Sequence, residues 1–164
     1  MGCGKSTHGK KLAKALKAEF IDLDDYISAK LKLTINEIFE KNGEDFFRNE
    51  EKKALTEIFK AKKEPCVISL GGGTICFNNL VDEVKKEGLL IYIETAPGIL
   101  KQRLQGSKNI RPLLQGKSDL EILNFIKNKI LEREVHYQKA DITVNGLNLT
   151  TPLLLKSIEE YYSK

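Results

Sequence analysis

The chain has 164 residues, 41% hydrophobic and 30% charged, near the ~100–200 residues of one domain, with a balance that allows a buried core and excludes disordered or collagen-like chains. Its net charge of +4 is spread along the whole length, too mild an excess to indicate a nucleic-acid partner. No apolar stretch approaches the ~18 residues of a membrane span, and no basic-then-apolar start marks a signal peptide. The three cysteines, Cys3, Cys66 and Cys76, are odd in number and lack C-x-x-C spacing, against both a disulfide framework and a zinc site, so a reducing cytoplasm is expected.

In chain order, a glycine turn at the start feeds a helix to Lys17 with Leu12, Ala13, Ala15 and Leu16 on one face. Phe20-Ile21-Asp22 is a short apolar segment ending in a carboxylate. Thr34-Ile35-Asn36-Glu37 forms a capping box for a helix that Gly43 closes at about Asn42. A longer helical pattern then runs to about Lys63, with Phe46, Leu55, Ile58 and Phe59 as apolar positions. Cys66 to Leu70 is a β-branched run stopping at Gly71-Gly72-Gly73, which predicts a buried strand entering an exposed-backbone turn.

The alternation continues beyond that turn. Asn79 to Glu87 is helical with Gly88 as its stop, and Leu89 to Ile93 is a second continuous apolar strand. Pro97 suits the first turn of a helix containing Leu100 and Leu104. The segment 105–117 has no period, carries Gly106, Pro112 and Gly116, and is a candidate lid. Ser118 with Glu121 opens a helix through Tyr137, Ile142 to Val144 is a last strand, and Thr151-Pro152 caps a terminal helix. Helices alternating with apolar strands predict an α/β fold with a parallel sheet.

Gly2-Cys3-Gly4-Lys5-Ser6-Thr7 contains the end of the phosphate-binding pattern G-x-x-x-x-G-K-[ST] and runs straight into an amphipathic helix. In such a loop the backbone N–H groups and the helix N-terminus face the phosphates, the lysine reaches the β and γ oxygens, and the serine hydroxyl binds magnesium. The first glycine of the pattern and the strand leading into it fall before Met1. In-frame codons upstream are therefore expected to encode a short apolar strand of roughly 5–6 residues ending in Gly-x; the alternative is a phosphate loop that has lost its first half.

Only four of the 27 basic residues are arginines: Arg48, Arg103, Arg111 and Arg133. A chain that otherwise chooses lysine uses arginine where a planar fork is wanted, as in gripping a carboxylate with two parallel hydrogen bonds. Asp22, Asp24 and Asp25 carry two readings, acidic ligands or caps of the following helix. His8 and His136 have no paired ligands at metal spacing and are expected to be structural or exposed.

Five further motifs follow the phosphate loop in order. They are Asp22-Leu23-Asp24, Gly43-Glu44-Asp45-Phe46-Phe47-Arg48 with Glu51, Gly71-Gly72-Gly73, Arg111-Pro112-Leu113-Leu114, and Arg133 with Tyr137, Ala140 and Asp141. This succession resembles the shikimate kinases, small P-loop kinases of aromatic amino-acid synthesis, over essentially the whole chain. The resemblance implies a single domain over 1–164 of nucleoside-monophosphate-kinase-like α/β type, with a parallel sheet, flanking helices, a shikimate-binding helical region at about 24–63 and a mobile lid at about 105–117. It implies transfer of the γ-phosphoryl of ATP to the 3-hydroxyl of shikimate, giving shikimate 3-phosphate and ADP.

The same resemblance assigns roles to residues. Asp24, Arg48, Gly71, Gly72, Gly73 and Arg133 would bind shikimate, with Asp24 orienting or deprotonating the attacking hydroxyl. Gly2 to Thr7 would hold the ATP phosphates, Arg103 would stack on adenine, and Arg111, helped by Lys108, would reach the transferring phosphoryl group from the lid. Lys5, Asp24 and Arg111 form the implied catalytic set; Ser6 and Asp22 would hold Mg2+, and Ser69 a metal-bound water. Phe39 and Phe47 would wall the shikimate pocket. The expected partners are ATP and shikimate, with no nucleic acid and no membrane, for a cytoplasmic monomer. Two rival functions are a related small-molecule kinase and a degenerate P-loop nucleotide-binding module without catalysis.

Overall fold

A computed structural model describes residues 2–62, 64–106 and 116–163. Four short parallel strands and seven α-helices alternate along these residues. Helix α1 (Lys5–Leu16) leads to β1 (Glu19–Asp22), α2 (Leu23–Leu31) and α3 (Ile35–Ala61). Strand β2 (Cys66–Ser69) ends in the glycine triplet and a 3-10 turn at Thr74–Cys76. Then come α4 (Leu80–Glu87), β3 (Ile91–Glu94), α5 (Pro97–Gln105), α6 (Asp119–Tyr137), β4 (Ile142–Asn145) and α7 (Thr151–Tyr162).

Among the described residues the strands form two separate parallel ladders rather than one sheet. β1 pairs with β2 so that Asp22 stands opposite Ser69, and β3 pairs with β4 so that Glu94 stands opposite Asn145. Leu12 of α1 joins them: it packs in one apolar cluster with Val67 of β2, Ile91 and Ile93 of β3, and Val144 of β4. The largest cluster lies under α2 and α3, where Leu23, Ile27, Ile38, Phe47, Leu55 and Ile58 are buried together. Full burial of such side chains stabilises by about 1.5–3 kcal/mol each before the entropy of ordering is subtracted.

Local chemistry sets the helix boundaries. Both expected capping boxes form, at Thr34 with Glu37 and at Ser118 with Glu121. Gly43 closes the first helical run of α3, as the sequence reading expects. It lies inside α3 as a kink at φ 80, ψ 175, a backbone region only glycine enters readily, and the helix resumes at Glu44. Two of the boundaries that differ from the sequence reading have a visible hydrogen-bond cause. The cap of α7 is Thr150, whose hydroxyl accepts the Leu153 N–H, leaving Thr151 and Pro152 in the first turn. Strand β3 starts at Ile91 rather than Leu89, because the N–H of Leu90 is taken by the Asp141 carboxylate instead of a ladder partner.

Candidate active site

The site assembles at the carboxyl ends of β1 and β2, where open α/β folds place their ligands. Gly4 sits in the left-handed region at φ 92 and caps α1, so the backbone turns directly from the phosphate loop into Lys5 and the helix. Ser6, one residue on, donates its hydroxyl to Asp22 Oδ2 at 2.6 Å and lies 3.4 Å from the hydroxyl of Ser69. Three oxygen side chains, one a carboxylate, thus meet at the helix N-terminus. A hard cation that keeps waters and takes further oxygens from substrate phosphates fits this donor set, and Mg2+ is such a cation. Asp22 also accepts the Asp24 N–H at 3.2 Å and caps α2. The two sequence readings of Asp22 are therefore compatible: one oxygen holds the helix while the other faces Ser6.

A second group gathers around the glycine triplet. A Cβ added to Gly73 would stand 2.8 Å from Nη2 of Arg48 and 3.3 Å from Nη2 of Arg133, so both guanidiniums converge on one bare backbone point. A Cβ on Gly71 would meet Glu51 Oε1 and Thr74 Oγ1, each at 2.8 Å, and Asp24 Oδ1 at 3.5 Å. Those spacings place the Asp24 carboxylate beside the same turn. Gly72 is fixed through its carbonyl, which accepts the Tyr137 hydroxyl, and the Arg133 guanidinium lies near enough to that hydroxyl to act on it electrostatically. The turn gathers residues distant in sequence: Thr74 bonds Glu51, 23 positions away, and Tyr137 bonds Gly72, 65 positions away.

Buried charge orders this second group. Arg48 is buried and donates from Nη1 to Glu51 Oε2 at 2.5 Å, and from Nε and Nη2 to Glu44 Oε1 at 3.2 and 2.8 Å. Burial works against the guanidinium's charge, but the Glu51 and Glu44 carboxylates outweigh it and hold its pKa above the usual value. Glu51 is wholly buried, and its remaining oxygen accepts the Thr74 hydroxyl. Burial pushes the Glu51 carboxyl up, and the nearby Asp24 carboxylate adds to the rise. Cys76 is also raised by burial and lies in the field of Arg133 and Arg48. The Phe77 ring stands 4.8 Å from the Arg48 guanidinium carbon, a stacking contact that suits arginine rather than lysine.

Most candidate residues come together, and some do not. Asp22, Asp24, Ser6 and Ser69 meet at one end of the β1–β2 ladder, and Arg48, Arg133 and Gly71 to Gly73 at the adjoining turn. Arg103 points into the phosphate loop: it donates to the carbonyls of Cys3 at 3.3 Å and Gly2 at 3.5 Å, and to that of Gly146 at 3.1 Å. Cys3 packs between α5 and α6 against Leu100, Ile122 and Ile126. The rings of Phe39 and Phe47 lie 4.8 Å apart, tilted at 42°, with Phe47 in the main core. Arg111 and Lys108 lie outside the described residues. His8 rests against Gly4, and burial, with Lys11 and Arg103 nearby, lowers its pKa. Among the described residues no cluster of three or more His, Cys, Asp or Glu forms a metal cage. Sequence reasoning gave no individual role to Glu44, Glu51, Thr74 or Tyr137; Glu44, Glu51 and Tyr137 stand inside the quoted motifs, whereas Thr74 carried no signal beyond following the glycines.

A phosphate loop joined to a hydroxyl–carboxylate pair, beside a pocket of two arginines and an aspartate, defines a P-loop kinase for a small anionic acceptor. Comparison with known proteins narrows the class. The family model for shikimate kinase matches residues 1–162. The shikimate kinase of Bacteroides fragilis is 40% identical over 141 residues, 86% of this chain and 78% of its own. A crystal structure of the shikimate kinase of Bacteroides thetaiotaomicron superposes with a TM-score of 0.90 at 34% identity, covering 100% of this chain and 94% of that one. The Acinetobacter baumannii shikimate kinase in complex with shikimate superposes at 0.85 and 32%, covering 99% and 89%. The chain belongs to the shikimate kinase family.

Proposed function

We propose that the protein transfers the γ-phosphoryl group of ATP to the 3-hydroxyl of shikimate, yielding shikimate 3-phosphate and ADP. The observation that carries this reading is the convergence of Arg48 and Arg133 on Gly73, two forks facing one point where a carboxylate can be held by parallel hydrogen bonds. Family membership supplies the acceptor, since shikimate has one carboxylate and three hydroxyls. Asp24, in the first turn of α2, is tied through its N–H to Asp22 beside Ser6 and places its carboxylate beside the glycine turn of the clamp. It accepts a hydrogen bond from the attacking hydroxyl and takes its proton as the phosphoryl group departs from ADP.

Ser6 and Asp22 are the residues that would hold Mg2+, with Ser69 orienting a bound water; the ion supplies neutralisation of the phosphate charge. Lys5 reaches the β and γ oxygens from the first residue of α1. Gly2 to Thr7 present backbone N–H groups to the phosphates, and Arg103, already bonded to this loop, stacks on adenine at its edge. Arg111 of the 105–117 lid acts on the phosphoryl group in transit. Positioning and electrostatics account for the catalysis, and exclusion of water protects the phosphoryl group from hydrolysis. The chain 1–164 works as one kinase domain, with the 24–63 region for the acceptor, as a cytoplasmic monomer; no described helix is long and apolar enough to cross a membrane.

The test is ADP release by purified protein with ATP and Mg2+ over a panel of acceptors: shikimate, nucleoside monophosphates, other polyhydroxy acids and none. ADP production is expected with shikimate and not with nucleoside monophosphates. A preference for another acceptor would favour a related small-molecule kinase, and ATP binding without turnover on any acceptor would favour a non-catalytic module.

A further inference from the structure

Arg48 of the acceptor pocket is already paired with two carboxylates. Arg48 holds the carboxylates of Glu44 and Glu51 before any substrate enters, and Asp24 stands beside the same glycine turn; an acceptor carboxylate adds a further acidic group. Glu51 cannot leave, since it is wholly buried and held by both Arg48 and Thr74. Glu44 can. Its side chain is 52% exposed against 10% for Arg48, and it is the first residue after the Gly43 kink in α3, so it can turn into water without unwinding the helix.

Glu44 also occupies the atoms the acceptor needs. Its Oε1 binds Nη2 of Arg48 at 2.8 Å, and Nη2 is the nitrogen that meets the Arg133 fork over Gly73. A carboxylate seated between the two Nη2 groups would share a donor with Glu44, placing like charges a few ångströms apart inside a partly buried pocket, where repulsion is less screened than in bulk water.

We propose that Glu44 is a stand-in for the substrate carboxylate: it holds Arg48 in the empty protein and is released to water when a carboxylate-bearing acceptor binds, and so sets the affinity for that acceptor class. This rests on the reading of Arg48 as part of the acceptor clamp. Removing the competing charge while keeping the side chain's shape makes binding tighter, in contrast to the loss expected if Glu44 served only to position Arg48.

The experiment is calorimetric titration of wild type, Glu44→Gln and Arg48→Lys with shikimate and with its uncharged primary amide, without nucleotide. Glu44→Gln is expected to tighten shikimate binding by about 2- to 10-fold, the range for trading a half-exposed ion pair for a neutral contact, and to leave the amide unchanged. Equal or weaker shikimate binding by Glu44→Gln, or equal tightening for both ligands, overturns the exchange. Arg48→Lys is expected to weaken shikimate binding; if it does not, the clamp reading fails, and the exchange with it. A result in which Arg48→Lys weakens binding and Glu44→Gln does too leaves the clamp standing and refutes the exchange alone.

Discussion

Gly73→Ala tests the acceptor clamp by adding one methyl group. The backbone at Gly73 has φ −109 and ψ −8, which alanine adopts without strain, so the effect comes from contact alone. The new Cβ would lie 2.8 Å from Nη2 and 3.1 Å from Cζ of Arg48, and 3.3 Å from Nη2 of Arg133. Ordinary carbon contacts fall at about 3.5–4.0 Å, so the Arg48 fork must retreat by roughly 0.7–1.2 Å. That displacement is resisted, because Arg48 is pinned by Glu51 at 2.5 Å and by Glu44 at 2.8 Å.

Shifting one fork by such a distance forfeits a charged hydrogen bond of about 1.5–3 kcal/mol, or roughly 10- to 150-fold in shikimate affinity. ATP affinity should be nearly unchanged, since no atom of the phosphate loop is among the three nearest contacts of that Cβ. Calorimetric titration of each ligand, with a thermal melt to confirm folding, reads the two effects separately. Wild-type shikimate affinity in a folded Gly73→Ala protein would refute the convergence of the two arginines on the substrate carboxylate.

Arg48→Lys and Arg133→Lys retain charge but lose the fork, and each should weaken shikimate binding by about 10- to 150-fold while sparing ATP, as separate titrations would show. Arg111→Ala should lower kcat far more than it raises the KM for shikimate, because only interactions stronger in the transition state raise turnover; steady-state kinetics decide this. Asp22→Asn should shift the Mg2+ requirement of the reaction to higher concentration, measurable as the half-saturating Mg2+ at fixed ATP. Burial pushes Tyr92 up to about 12, with the Tyr137 hydroxyl and Glu94 adding to the rise. Its folded pKa lies above the unfolded value of about 10, so stability present below pH ~10 is lost as pH climbs toward 12. Tyr92→Phe should flatten that alkaline loss in denaturant titrations taken at several pH values.

The fold was legible wherever periodicity and punctuation agreed. Both capping boxes, the strand ending at the glycine triplet and Pro97 in the first turn of α5 follow from local rules and stand where expected. Gly43 marked the break between two helical runs, and the buried face made by Ile38 on one side and Phe47 and Leu55 on the other holds both runs against one core. The site was legible through residue choice, since arginine in a lysine-rich chain marks positions that need a fork. What sequence could not give is which carboxylates answer those forks. Glu44 and Glu51 stand four and three residues from Arg48, ordinary spacing for helical ion pairs, and only the packing shows that one is exposed and the other sealed.

The most direct measurement of the central claim is identification of the reaction product. Purified protein incubated with ATP, Mg2+ and shikimate should convert shikimate to a phosphate ester in equal amount to the ADP formed, and phosphorus–proton NMR coupling should place the phosphate on the 3-oxygen. A phosphate on a different oxygen, or ADP formed together with free phosphate and unchanged shikimate, would contradict it.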